Sequence, residues 1–157
     1  MRPRLVPTDG IGWIYIMMTP SDYNRVKIGI TKNNPLQRLR ELKTGDPYLA
    51  VEAAYLIQNG TGFTTSCIES FIHSYFSDVR IHFLADEERE NVPSEWFKMH
   101  SQESSLLVEE ALKKMGFNIT SSGCYLDSLT NVASRYYESE LVDEVSNFDF
   151  DYSSHLN

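Results

Sequence analysis

The pattern of apolar and polar positions changes period several times within the first hundred residues. Trp13, Ile14, Ile16 and Met17 flank Tyr15 in a β-branched and aromatic run, and Val26, Ile28 and Ile30 alternate with Lys27 and Gly29 in a second. Both read as strands. The turn formers of TPSDYN between them predict an antiparallel hairpin with a long loop. Asn33 or Asn34 then caps a helix whose first residue is Pro35, and Gly45 suits a left-handed position at its end. Leu36, Leu39 and Leu42 point inward, leaving Arg38 on the helix shoulder and Arg40 with Lys43 nearer solvent. YLAVEAAYLI supplies a further strand, so the fold class expected is α/β (α+β): a small three-stranded antiparallel sheet flanked by helices.

Thr64, Thr65 or Ser66 starts the next helix, where Ile68, Phe71, Ile72, Tyr75 and Phe76 fall on one stripe. Glu69 and His73, four apart, share the face beside it. From Asp78 to Asn91 a short apolar stretch gives way to an acidic loop, after which SEWFKM returns Trp96 and Phe97 to the core. Ser101 or Ser104 caps a helix with Leu107, Ala111, Leu112 and Met115 inward, and Gly116 stops it. Residues 118 to 127 have the turn-rich composition of a linker. Residues 128 to 147 predict a helix with Leu129, Val132, Tyr136 and Leu141 aligned, followed by the acidic, aromatic tail FDFDYSSHLN. The boundaries expected are a domain at 10–117 and an acidic helical extension with tail at 118–157.

The order IYI, KIG a dozen residues on, an arginine on the following helix, then LKTGDP, IESFIHSYF and SEWF resembles the GIY-YIG nuclease superfamily. The similarity is to the phage and prophage branch with KIG as second motif, and it spans roughly residues 10 to 100. It implies a metal-dependent endonuclease that hydrolyses DNA phosphodiester bonds. In that resemblance Tyr15 helps to deprotonate water, Arg38 is the cation on the scissile phosphate, and Glu69 holds one divalent metal, magnesium or alternatively manganese. Lys27 stands where many relatives have a second tyrosine, and would favour the Tyr15 phenolate while contacting phosphate. His73, one turn beyond Glu69, joins the catalytic set. Gly29 would allow close backbone approach, and Lys32, Arg40 and Lys43 would bind substrate.

A plainer reading stands beside each residue. Tyr15 in a strand is commonly a packed aromatic, Arg38 a solvated helix arginine, Lys27 an exposed edge residue and His73 a satisfied semi-buried histidine. Ser66-x-x-Glu69 also matches a capping box. At the level of function, the competing class is a catalytically inactive nuclease-fold module that binds DNA or a partner protein, for example in phage–host conflict.

Charge changes the picture only when divided along the chain. The net charge is -8. Residues 1 to 50 hold 8 Lys or Arg against 4 Asp or Glu, residues 51 to 100 hold 3 against 8, and residues 101 to 157 hold 3 against 10. The hairpin and first helix are therefore the basic part, as phosphate contact requires. The acidic C-terminal tail should avoid DNA, and is expected to be solvated, to dock on the basic surface as a restraint, or to anchor a partner protein. No apolar run approaches the ~20 residues of a membrane span and the N-terminus lacks a signal-peptide pattern, so a cytoplasmic protein without membrane association is expected. Cys67 and Cys124 read as free thiols, and the four histidines show no zinc spacing.

Overall fold

The computed structural model describes residues 12–58, 63–84, 91–122 and 131–141. Strand β1 (Gly12–Thr19) pairs antiparallel with β2 (Asp22–Thr31), placing Tyr15 opposite Gly29 and Met17 opposite Lys27. Only Pro20 and Ser21 separate the strands, so the turn is tighter than the long loop expected, and a register shift between Met18 and Thr19 absorbs the extra twist. Helix α1 (Pro35–Leu42) follows. Asn34 caps it, its side-chain oxygen accepting from the Leu36 N–H at 2.9 Å, with Pro35 at the first helical position as predicted. The helix ends at Lys43 in right-handed geometry, so Gly45 does not serve as a left-handed stop.

Strand β3 (Ala50–Ile57) pairs antiparallel with the other edge of β1. Helix α2 (Thr65–Tyr75) is capped by Thr64, whose hydroxyl accepts from Cys67 N–H at 3.1 Å. A short 3-10 turn (Ser77–Val79) leads to β4 (Arg80–Leu84), which pairs antiparallel with β5 (Asn91–Phe97). His100, rather than either expected serine, caps α3 (Ser101–Lys114), and Gly116 ends it with φ of 100°. The remaining strands are β6 (Asn118–Ser121) and β7 (Val132–Tyr136).

These strands form one seven-stranded sheet, ordered β4-β5-β2-β1-β3-β7-β6. The three-stranded sheet expected from the sequence is its centre, and four further strands enlarge it. SEWF is part of β5, the apolar stretch after Asp78 is β4, and the linker expected at residue 118 opens with β6. The helix expected at 128–147 is, in its described part, strand β7 and a helical turn at 138–141. Its short run VASRY satisfies either period. What decides is tertiary: β7 pairs with β3 from Ala54↔Tyr136 to Ile57↔Ala133, burying Val132, Ala133, Ser134 and Tyr136.

Both faces of the sheet are covered near β1, which explains why that strand is buried at almost every position. On one face Ile14, Ile16, Val26, Ile28 and Tyr55 pack against Ile68 and Ile72 of α2 and Val108, Ala111 and Leu112 of α3. On the other, Trp13, Tyr15, Met17 and Leu56 meet Leu36 and Leu39 of α1 together with Tyr136 and Leu141. Of the stripe expected on α2, Ile68, Ile72 and Phe76 are buried while Phe71 and Tyr75 stack on each other at the surface. Among the described residues no helix is long and apolar enough to cross a membrane.

Strand β7 is fixed by more than its ladder. Glu109 of α3 accepts from the Tyr55 hydroxyl at 2.9 Å and from Arg135 at 2.8 Å, and Ser134 Oγ meets Gln58 and Thr120. Deleting residues 125–157 removes an interior strand of the sheet, and the expected result in urea titration is loss of the cooperative unfolding transition. A truncated chain unfolding with unchanged midpoint and slope would contradict this placement.

Candidate active site

The pairing of β2 with β5 is brief. It consists of Val26↔Phe97 and Lys27↔Trp96, beyond which β5 parts from β2. Past Lys27 the β2 edge is met instead by α2: His73 Nε2 donates to the Ile28 carbonyl at 2.9 Å. The result is a notch in the sheet, reached by β1 and α1 from one face and by α2 from the other.

Tyr15 lies on the α1 face, buried, with its ring over Gly29. A Cβ added at Gly29 would sit 2.5 Å from the Tyr15 hydroxyl oxygen and 2.7 Å from the ring carbon bearing it. Gly29 therefore makes room for the tyrosine, whose hydroxyl and ring occupy the space that a side chain there would take. Arg38, one turn into α1, is within hydrogen-bonding reach of the Tyr15 hydroxyl while its Nη1 donates to Glu41 Oε2 at 2.8 Å. Burial raises the Tyr15 pKa above its ordinary value, the hydrogen bond from Arg38 opposes this, and the charges of Glu95 and Glu69 add to the rise. Lys27, expected to favour the phenolate, is instead bound to Glu95 at 2.6 Å. In the free protein Tyr15 is thus a phenol at neutral pH, held by an arginine.

Glu69 enters from α2. Thr64 caps that helix, so the capping-box alternative for Glu69 is removed. Its Oε2 is shielded from solvent and has no hydrogen-bond partner among the described residues, with His73 Nε2 4.0 Å away. Burial raises the Glu69 pKa; His73, Arg80 and Lys27 pull it down and Glu95 pushes it up. His73 is itself buried, packed against Phe97 with ring centroids 5.1 Å apart. Its Nε2 proton is committed to the Ile28 carbonyl, so it tethers α2 to β2 beside Glu69.

The structure thus brings Tyr15, Lys27, Gly29, Arg38, Glu69 and His73 together around the notch. Lys32, Arg40 and Lys43 are exposed, the first just beyond β2 and the others at the end of α1. Sequence reasoning missed Glu95, whose charge acts on both Tyr15 and Glu69, although it lies within the SEWF stretch that carried the resemblance. It also missed Arg80, which donates to the Ser94 carbonyl at 2.6 Å and faces Phe97; a single cation beside an apolar run gave no signal.

The T5orf172 domain is matched over residues 12–116. The chain belongs to the T5orf172 domain family. No curated protein and no solved structure matches it. The matched T5orf172 stretch contains every residue of the notch and ends before β6 and β7, which extend the domain's sheet at the far edge.

Among the described residues no group of three His, Cys, Asp or Glu side chains is arranged to hold a metal ion. A buried, unpartnered carboxylate oxygen at Glu69 nonetheless suits a hard cation that keeps most of its waters, and the surrounding carboxylate charge of Glu95 favours it.

The raised Glu69 pKa gives a signed expectation. A carboxylate whose folded pKa lies above its unfolded value binds more protons in the native state, so stability is lost as pH rises from about 4.5 through the folded value. Glu69→Gln is therefore expected to melt at higher temperature than wild type near neutral pH, the gap closing as pH is lowered to the ordinary carboxylate range. Thermal melts across that range check it; a variant less stable than wild type at neutral pH would contradict it.

Proposed function

We propose that this T5orf172-family chain is a metal-dependent endonuclease that hydrolyses DNA phosphodiester bonds through a GIY-YIG-type site. The observation that carries the reading is convergence: Tyr15 from β1, Lys27 from β2, Arg38 from α1 and Glu69 from α2 meet at one notch, with Arg38 beside the Tyr15 hydroxyl and, among the described residues, no hydrogen-bond partner for one Glu69 carboxylate oxygen. Such an array supplies what phosphodiester hydrolysis needs, namely an oriented water, cationic charge at the phosphoryl oxygens and an anchor for a divalent ion.

In this mechanism Arg38 exchanges its Glu41 contact for a non-bridging oxygen of the scissile phosphate, remaining protonated throughout. Tyr15, in the fraction present as phenolate, orients the attacking water and takes the proton that the water loses, while the leaving alkoxide takes its proton from solvent. Glu69 would hold magnesium, or manganese in its place, which when bound stabilises the leaving alkoxide. Lys27, turned from Glu95, adds charge at the phosphate. His73 keeps Glu69 in register with β2, and Glu95 holds Lys27 until substrate arrives.

A second reading is a T5orf172 module that binds DNA without turnover. It is favoured by the pairing of Lys27 with Glu95 and by the upward shift at Tyr15, both of which oppose base catalysis in the free protein. Binding that survives Glu69→Ala, with no cleavage by wild type under any metal, would establish it.

The endonuclease reading is tested by incubating wild type with plain, modified, branched and single-stranded DNA in magnesium or manganese. Cleavage is expected, falling by about 10³-fold or more in Arg38→Ala and Glu69→Ala with circular dichroism unchanged. Because the Tyr15 pKa is raised, kcat/KM should climb with pH through neutral and mildly alkaline solution, and Tyr15→Phe should lose about 10²- to 10⁴-fold in rate together with that climb. Cleavage retained by Glu69→Ala, or a Tyr15→Phe profile parallel to wild type, would contradict the assignment.

A further inference from the structure

Arg25 lies on β2 two residues before Lys27, so strand alternation puts both side chains on the face that carries Tyr15. The two positions are about 7 Å apart along the strand, on the order of the step between neighbouring phosphates in an extended nucleic-acid chain. Trp96, paired with Lys27 across the β2–β5 ladder, is the diagonal neighbour of Arg25, and the guanidinium stacks on its ring 4.6 Å from the centroid.

What separates Arg25 from the other cations at the notch is how little holds it. Lys27 has Glu95 at 2.6 Å, Arg38 has Glu41 at 2.8 Å and Arg80 has the Ser94 carbonyl at 2.6 Å. Arg25 donates no hydrogen bond to any described residue. Among the described residues its one ionic neighbour is Asp22, with 3.9 Å between Nε and the carboxylate, and Nε is shielded from water with no hydrogen-bond partner among them. An arginine that has been stripped of part of its hydration and fixed in orientation by an indole, yet spends no donor on any described residue, is preorganised for a bidentate anion. The half-exposed Tyr23, one alternation further along the same face, continues the surface with an aromatic on which a base could stack.

We infer that Arg25, clamped on Trp96, binds the backbone phosphate next to the one at Lys27, so that the DNA strand runs along β2 from the notch toward the hairpin turn. This rests on the endonuclease reading for the position of the scissile phosphate. Asp22 takes the place of a weak competitor for the same guanidinium, and restrains binding where no strand is present.

The test is fluorescence anisotropy with a short labelled oligonucleotide, single-stranded and duplex, in EDTA so that nothing is cut, over a series of salt concentrations. Arg25→Gln is expected to weaken binding by about 3- to 10-fold and to flatten the slope of log affinity on log salt by about 0.7 to 0.9, one phosphate contact's share. Arg25→Lys should recover part of the affinity, since it restores the charge without the fork. Asp22→Asn should bind more tightly than wild type, and it keeps the Asp22 Oδ1 acceptor that receives the Asn24 N–H at 2.9 Å. The two conservative variants test the idea even where Arg25→Gln melts early. Unchanged affinity and slope in Arg25→Gln, with weakened binding in Arg38→Ala, would overturn the role of Arg25 while leaving the endonuclease reading in place. Absence of binding by wild type to either DNA form would overturn both.

Discussion

The parting of β5 from β2 after two residue pairs is the constraint on which the site depends. Had the ladder continued, Ile28 and its neighbours would have been sealed by another strand, and side chains from α2 could not have met those from β1 and α1 across the sheet. The broken edge needs a substitute donor, and His73 supplies it through the Ile28 carbonyl. The same contact places Glu69, one turn earlier on α2, at the mouth of the gap. The fold and the candidate site therefore share one hydrogen bond.

The charges around this gap are arranged in opposition. Lys27 and Arg38 each rest on a carboxylate, while Glu69 is half-buried with one shielded oxygen unpartnered among the described residues. A buried polar atom in that state is destabilising. Its persistence beside a buried tyrosine of raised pKa is the kind of local cost found where function demands it. Around it the fold is well satisfied: helix caps at Asn34, Thr64 and His100, and the Tyr55–Glu109–Arg135 network that locks β7 against α3.

The central hairpin, the three helices and the stop at Gly116 were legible in the sequence because local signals decide them: strand alternation, a capping asparagine before Pro35, a glycine past a helical stripe. The outer strands were not. Val132–Tyr136 is too short to distinguish period 2 from period 3.6, and its partner β3 lies some eighty residues earlier, so only tertiary pairing settles it. The notch residues were legible as a set through their order along the chain, whereas their electrostatics were not. Lys27 reads as a neighbour that would lower the Tyr15 pKa, but Glu95, brought in by β5, claims that lysine first. At Gly29 the group that needs the missing side chain is the Tyr15 ring, a close contact that only the strand pairing reveals.

If the notch is one catalytic unit, Arg38 and Glu69, on helices packed against opposite faces of the sheet, must act on the same phosphate. The direct measurement is single-turnover cleavage of metal-saturated wild type, Arg38→Ala, Glu69→Ala and the double variant. A single unit predicts that the double variant is no slower than the more damaged single one, since either loss disables the site. Multiplication of the two separate losses in the double variant would contradict it, because the residues would then contribute independently.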